Sequence, residues 1–261
     1  MEAMRYSLLK KISVIALAML LAACATTASK ERQVRDHEVV TNRVAAGMQY
    51  LQLGQLNEAR QHFSRALERD SNSAIAHNAM ALLYRYEGDP ANEEKHYRQA
   101  LRADRNYTVA RNNYGILLYE RGDYEGASKE FYRAANDPAY GNRGGAFANL
   151  ARSYAKLGQR EEAEEAFQRA LRLGQAEEVI QPELIELYLK DGDVHSAQLL
   201  LQKYKESRVG QMNIPKTLWL GIQVAAAQHN TSQQAEYEAR LYEYYADSPE
   251  YKLWQQWRAH Q

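Results

Sequence analysis

Three columns of residues recur along this chain at one spacing. Gly54, Gly88 and Gly122 lie 34 residues apart, as do Phe63, Tyr97 and Phe131, and Ala66, Ala100 and Ala134. The pattern continues at Gly158, Phe167 and Ala170 after a two-residue insertion, and more weakly at Gly192, Ala197 and Tyr204. A sixth copy starts near Ile214, with Leu220-Gly221 at the matching place. A fixed period of this length marks a structural unit that cannot bury its apolar face alone, so successive copies must stack on their neighbours. The units run over 40–73, 74–107, 108–141, 144–177, 178–211 and 214–249, the last two being degenerate.

Each unit reads as two helices joined by a turn such as Leu53-Gly54-Gln55. Glycine there supplies the positive φ that ends the first helix. Small residues such as Gly47 and Ala59 let the two helices approach closely, and Phe63 then fills the space between neighbouring units. The five prolines fit the scheme: Pro90 opens a second helix, Pro138 lies in the insertion, Pro182 and Pro215 lie near first turns, and Pro249 closes the last unit. Residues 250–261, with Tyr251, Leu253, Trp254 and Trp257, read as a helix capping the end of the stack, the alternative being an aromatic patch for a partner.

Period and residue types together resemble the tetratricopeptide repeat. Ala46-Gly47, Tyr50, Gly54, Ala59, Phe63 and Ala66 carry the resemblance in the first copy, and Gly115, Gly122, Ala127, Phe131 and Ala134 in the third. The second copy departs at Glu93, where that motif prefers alanine. The fold class implied is all-α, a right-handed superhelical solenoid of about six helix pairs, over 39–249, with the C-terminal cap.

The N-terminus has a different character. Arg5, Lys10 and Lys11 precede the apolar run Ile12 to Leu21, which is too short to span a bilayer, so 1–23 reads as a secretory signal. Leu21-Ala22-Ala23-Cys24 resembles the bacterial lipobox, which implies acylation of Cys24 as the first mature residue. The alternative is an ordinary signal with an incidental cysteine. As the only cysteine, Cys24 excludes an intramolecular disulfide or a Cys-rich zinc site. Ala25 follows it, not the aspartate of inner-membrane retention, so resemblance to that sorting rule implies the periplasmic face of the outer membrane. Residues 24–38 are then the lipidated cysteine and a polar tether reaching roughly 20 Å if flexible. Removing 1–23 takes three basic and one acidic residue from 33 of each, leaving a net charge of −2. Such a chain has no bulk attraction to nucleic acid.

Catalytic patterns are missing. There is no H-E-x-x-H, G-x-S-x-G or G-x-x-x-x-G-K-[ST]. Gly141-Asn142-Arg143-Gly144-Gly145 lacks the lysine and hydroxyl of a phosphate loop and reads as the lengthened turn between copies three and four. His62 and His96, 34 residues apart, read as solvated surface rather than a metal pair. Glu165 and Arg169 read as an i,i+4 pair on a charged face. The expectation is a protein that is not an enzyme and uses no metal, cofactor or small-molecule substrate.

First helices of stacked pairs line the inner surface. Candidates there are Met48, Asn78, Leu82, Tyr86, Asn112, Ile116, Tyr119, Arg152 and Lys156, a mixture suited to an extended or helical peptide. The convex face and edges remain alternatives. Nineteen tyrosines against four phenylalanines point to many half-wet ring positions. Tyr50, Tyr97 and Tyr204 fit repeat packing, and Tyr86 and Tyr119 fit a partner surface.

Lipobox, tether and six copies together resemble the type IV pilus biogenesis/stability lipoproteins, the PilF/PilW family of pilotins. Local matches are Asn112-Asn113-Tyr114-Gly115 through Leu118-Tyr119-Glu120 to Tyr124-Glu125-x-Ala127, then Phe147-x-Asn149-Leu150, then Leu220-Gly221-Ile222. Ala148 and Ala151 depart from the family's Arg-x-x-x-Glu-Asn-Leu-Gly. The resemblance implies a pilotin, which binds the pilus secretin, escorts it to the outer membrane and promotes its multimer assembly. A scaffold for another envelope machine, such as β-barrel assembly or cell-wall synthesis, is the alternative.

Overall fold

The repeating glycines sit where helices stop. Gly54, Gly88, Gly122, Gly158 and Gly192 all have φ between +70° and +82°. At each, the N–H of the next residue reaches back five places, as in Gln55 to Tyr50 and Asp193 to Tyr188, both at 2.9 Å. This closes the orphan carbonyls of the first helix. The sixth turn keeps the same bond, Asn230 to Ala225 at 2.9 Å, but its left-handed residue is His229 at φ 54°. Asp89, Asp123, Asp193 and Asn230 then cap the second helices, accepting from Asn92, Gly126, Ser196 and Gln233 N–H groups at 2.8–3.1 Å.

This computed structural model describes residues 32, 34–175 and 177–260, apart from the side chains of 208 and 209; Cys24 and the signal segment lie outside them. The described residues contain helices and turns and no strand. The chain is helical over 34–52 (α1), Leu56–Arg69 (α2), Ala74–Glu87 (α3), Pro90–Ala103 (α4), Thr108–Glu120 (α5), Tyr124–Ala135 (α6) and Arg143–Leu157 (α7). It continues as Arg160–Arg172 (α8), Glu177–Lys190 (α9), Val194–Glu206 (α10), Arg208–Met212 (α11), Ile214–Ala227 (α12), Thr231–Tyr245 (α13) and Pro249–Arg258 (α14). Two compact units divide at Ala110 and Arg111.

Within a pair, one contact recurs. A Cβ on Gly115 would stand 2.8 Å from the Phe131 ring, one on Gly221 would stand 2.8 Å from the Tyr237 ring, and Gly47 faces Phe63 more closely still. Partners are 16 residues apart in each case. Ala81 with Tyr97 and Ala151 with Phe167 occupy the same places, and all four are buried. Copy five reverses the sizes: Ile185 and Leu201 share one core cluster. A small first-helix residue thus goes with a ring on the second, and a large one with leucine, which holds packed volume nearly constant.

In the unit ending at Ala110, Val40, Val44 and Leu51 of α1 pack with Ala59, Phe63 and Ala66 of α2 and with Ala76, Ala79, Met80 and Leu83 of α3. Glu93, in the column that holds Ala59 and Ala127, is 3% exposed and lies 3.6 Å from the Arg85 guanidinium. In the second unit, one cluster joins α6 to α9, another α9, α10 and α12, and a third α12, α13 and α14. Trp254 of α14 is buried against Leu218, Trp219, Ile222, Tyr237 and Leu241, and Trp257 meets Trp219 edge-on at 5.9 Å.

Several local expectations need correction. α1 reaches back to 34, inside the stretch read as tether, and Asp36 pairs with Arg69 of α2. Pro182 lies in the second turn of α9, because Glu177 and Glu178 extend the helix N-terminally where carboxylates favour its dipole. Pro249 opens α14, with Ser248 capping the Tyr251 N–H at 3.1 Å. The short helix α11 between copies five and six had no sequence counterpart.

Candidate functional site

The nine inward candidates separate by burial. In the first unit Met48 and Leu82 are half-buried against the core, Asn78 is 6% exposed, and Tyr86 stands out at 62%. In the second unit Asn112 is 5% exposed and Ile116 half-buried on the core. Both asparagine side chains are therefore buried rather than displayed on an open surface. Their repeat position is an inter-helix one, held by the buried Ala148 and Pro182 in copies four and five.

Tyr119, Arg152 and Lys156 do come together. They line a cleft of about 410 Å³ on the first helices of copies three to five, with Phe167 and Leu187 as apolar wall and Glu183, Glu186 and Lys190 beside them. Arg152 is fixed in orientation: Nε and Nη2 each donate to Glu183 at 2.9 Å, and Nη1 donates to Asn149 Oδ1 at 2.8 Å. Both side chains of that ion pair are half-buried, so the fork holds α7 to α9. Burial pushes the Tyr119 phenol up, as does nearby Tyr124, whose ring meets it edge-on at 5.1 Å. Lys190 Nζ donates to the Ala155 carbonyl at 3.2 Å, and Lys216 from α12 pairs with Glu186 at 2.8 Å.

Glu183, Glu186 and Lys190 were not among the sequence candidates. They stand 34 residues after Asn149, Arg152 and Lys156, so the repeat period itself points to them. The degeneracy of copy five hid this.

On the outer helices His62 and His96 are half-buried rather than solvated. His62 stacks on Tyr50 at 5.3 Å, and His96 stacks on Tyr84 at 5.3 Å with its Nδ1 3.1 Å from Nδ1 of His77. Their side of the second helix faces the neighbouring first helix, which sequence spacing alone did not separate from the solvent side. Burial, then the charge of His77, holds His96 down to about 4. Among the described residues no three His, Cys, Asp or Glu side chains gather as metal ligands. Tyr188 donates to Glu164 at 2.9 Å, and burial with that bond pushes its phenol up to about 12. Glu165 and Arg169 form their i,i+4 pair at 2.6 Å. The cleft thus offers fixed charges, a phenol and an apolar wall.

Models of the tetratricopeptide repeat match residues 47–85, 79–141 and 145–175. The type IV pilus assembly protein PilF of Pseudomonas aeruginosa is 30% identical over 212 residues, covering 81% of this chain and 83% of that protein. A solved structure of Pseudomonas aeruginosa PilF superposes with a TM-score of 0.69 at 28% identity, covering 87% of this chain and 99% of that one. A crystal structure of PilW, described as a widely conserved type IV pilus biogenesis factor, gives 0.72 at 25% identity, covering 82% and 97%.

Proposed function

The chain belongs to the type IV pilus tetratricopeptide-repeat family of PilF and PilW, a scaffold family rather than an enzyme family, and from that premise we propose that it is a pilotin. In this reading Cys24 is acylated, and the protein sits on the periplasmic face of the outer membrane. There it binds the pilus secretin and promotes the secretin's localisation and multimer assembly. The observation that carries the reading is a likeness to PilF running through 81% of the chain, behind a lipobox-like Leu21-Ala22-Ala23-Cys24. The physics is consistent: acyl chains contribute about 0.8 kcal/mol per buried methylene, and more than one chain gives a stable anchor. Stacked helix pairs then present their first helices to one partner.

The test replaces Cys24 with serine in cells. Membrane fractionation should move the variant out of the outer membrane, and secretin multimers there should fall with it. Undiminished secretin multimers in the outer membrane would contradict the anchor-driven mechanism.

A further inference from the structure

The cleft of the second unit has a charge imbalance. Both of its carboxylates are already committed, Glu183 to Arg152 at 2.9 Å and Glu186 to Lys216 at 2.8 Å. Lys156 and Lys190 are exposed, and among the described residues neither makes an ion pair. They occupy one repeat position, 34 residues apart, in the last turns of α7 and α9. The carbonyl ends of those helices offset part of their charge, since Lys190 bonds the Ala155 carbonyl. Two cations still line one edge, with the Tyr119 ring and Leu187 alongside.

We propose that this cleft binds an extended acidic segment of a protein partner, one carboxylate to Lys156 and another to Lys190, with an apolar side chain laid on Tyr119 and Leu187. Spacing narrows the choice. Neighbouring helices pack about 8–10 Å apart, and an extended chain in the polyproline II form rises about 3.1 Å per residue with three residues per turn. Carboxylates three residues apart therefore share one side of it at about the helix spacing, whereas those two apart point to different sides. The bidentate Arg152–Glu183 pair is neutral as a unit and serves as the rigid floor under the peptide. The proposal deepens the reading of the inner face as a partner surface, but its test contains neither secretin nor membrane sorting, so its failure leaves the anchored role untouched.

The probe is a fluorescein-labelled dodecamer with glutamate at every third position between leucine and threonine, titrated with the detergent-solubilised full chain and followed by anisotropy. A twin peptide carries glutamine in place of each glutamate. The acidic probe should bind about five- to tenfold more tightly than its twin, and the preference should shrink as salt rises. The double variant K156Q/K190Q should lose that preference, while K156R/K190R should keep it. Equal affinity for the two peptides, no binding of the acidic peptide, or an undiminished preference in K156Q/K190Q overturns the proposal.

Discussion

At the scale of single residues, the histidine pair of copy two makes the sharpest prediction. His77 Nε2 faces the Ser71 carbonyl at 3.1 Å, and a carbonyl only accepts, so Nε2 carries the proton. The neutral His77 Nδ1 then accepts from Nδ1–H of His96. Protonating both rings would set two N–H groups against each other. Arg60 and Lys95 oppose a charge on His96; burial, then Arg102, opposes one on His77, against which the Ser71 carbonyl and Asp70 favour it. Both rings titrate below the ordinary 6.5, His96 at about 4, so the unfolded chain binds more protons between those values. Stability contributed by the neutral rings is whole above pH 6.5 and is lost as pH falls toward 4. Thermal melting across that range should show a falling midpoint, and His96→Phe, which keeps the ring beside Tyr84, should flatten the slope. A variant whose slope matches the parent would contradict this account. The spacing of His62 and His96 was legible in the sequence, but which side of the helix they occupy was not. Helical periodicity places a residue on a stripe, and only the neighbouring helix decides whether that stripe is wet.

At the scale of elements, the paired columns turn packing into a testable rule. Gly115→Ile should overpack the Phe131 ring, and overpacking typically costs about 1–3 kcal/mol. Adding Phe131→Leu reproduces the Ile185 and Leu201 pair of copy five, and the double variant should recover part of the loss. Denaturant unfolding of both variants checks this; a double variant less stable than Gly115→Ile alone would show that the two positions do not share one volume. Turns and helix ends were legible because each depends on residues within one copy, with Gly54, Phe63 and Ala66 announcing the period, whereas the contact of the ring with Gly47 of its own pair was not. The start of α9, helix α11 and the Glu183 and Lys190 side of the cleft were not. Copy five has lost its aromatic column, with Leu201 where Phe167 stands in copy four, so its polar residues carried no visible register. Nor did local pattern reveal that Asn78 and Asn112 are buried, since an amide suits a groove and a helix contact equally well.

At the scale of the whole molecule, the near-zero net charge argues that recognition rests on local complementarity rather than long-range attraction. Family membership with PilF and PilW places the protein in type IV pilus biogenesis. What separates a pilotin from another envelope scaffold is the identity of the bound protein. The direct measurement is affinity capture of the protein from a detergent extract of cells, with the recovered proteins identified by mass spectrometry. The account predicts the pilus secretin as the main co-purifying protein. Recovery of β-barrel assembly or cell-wall enzymes without the secretin would contradict it.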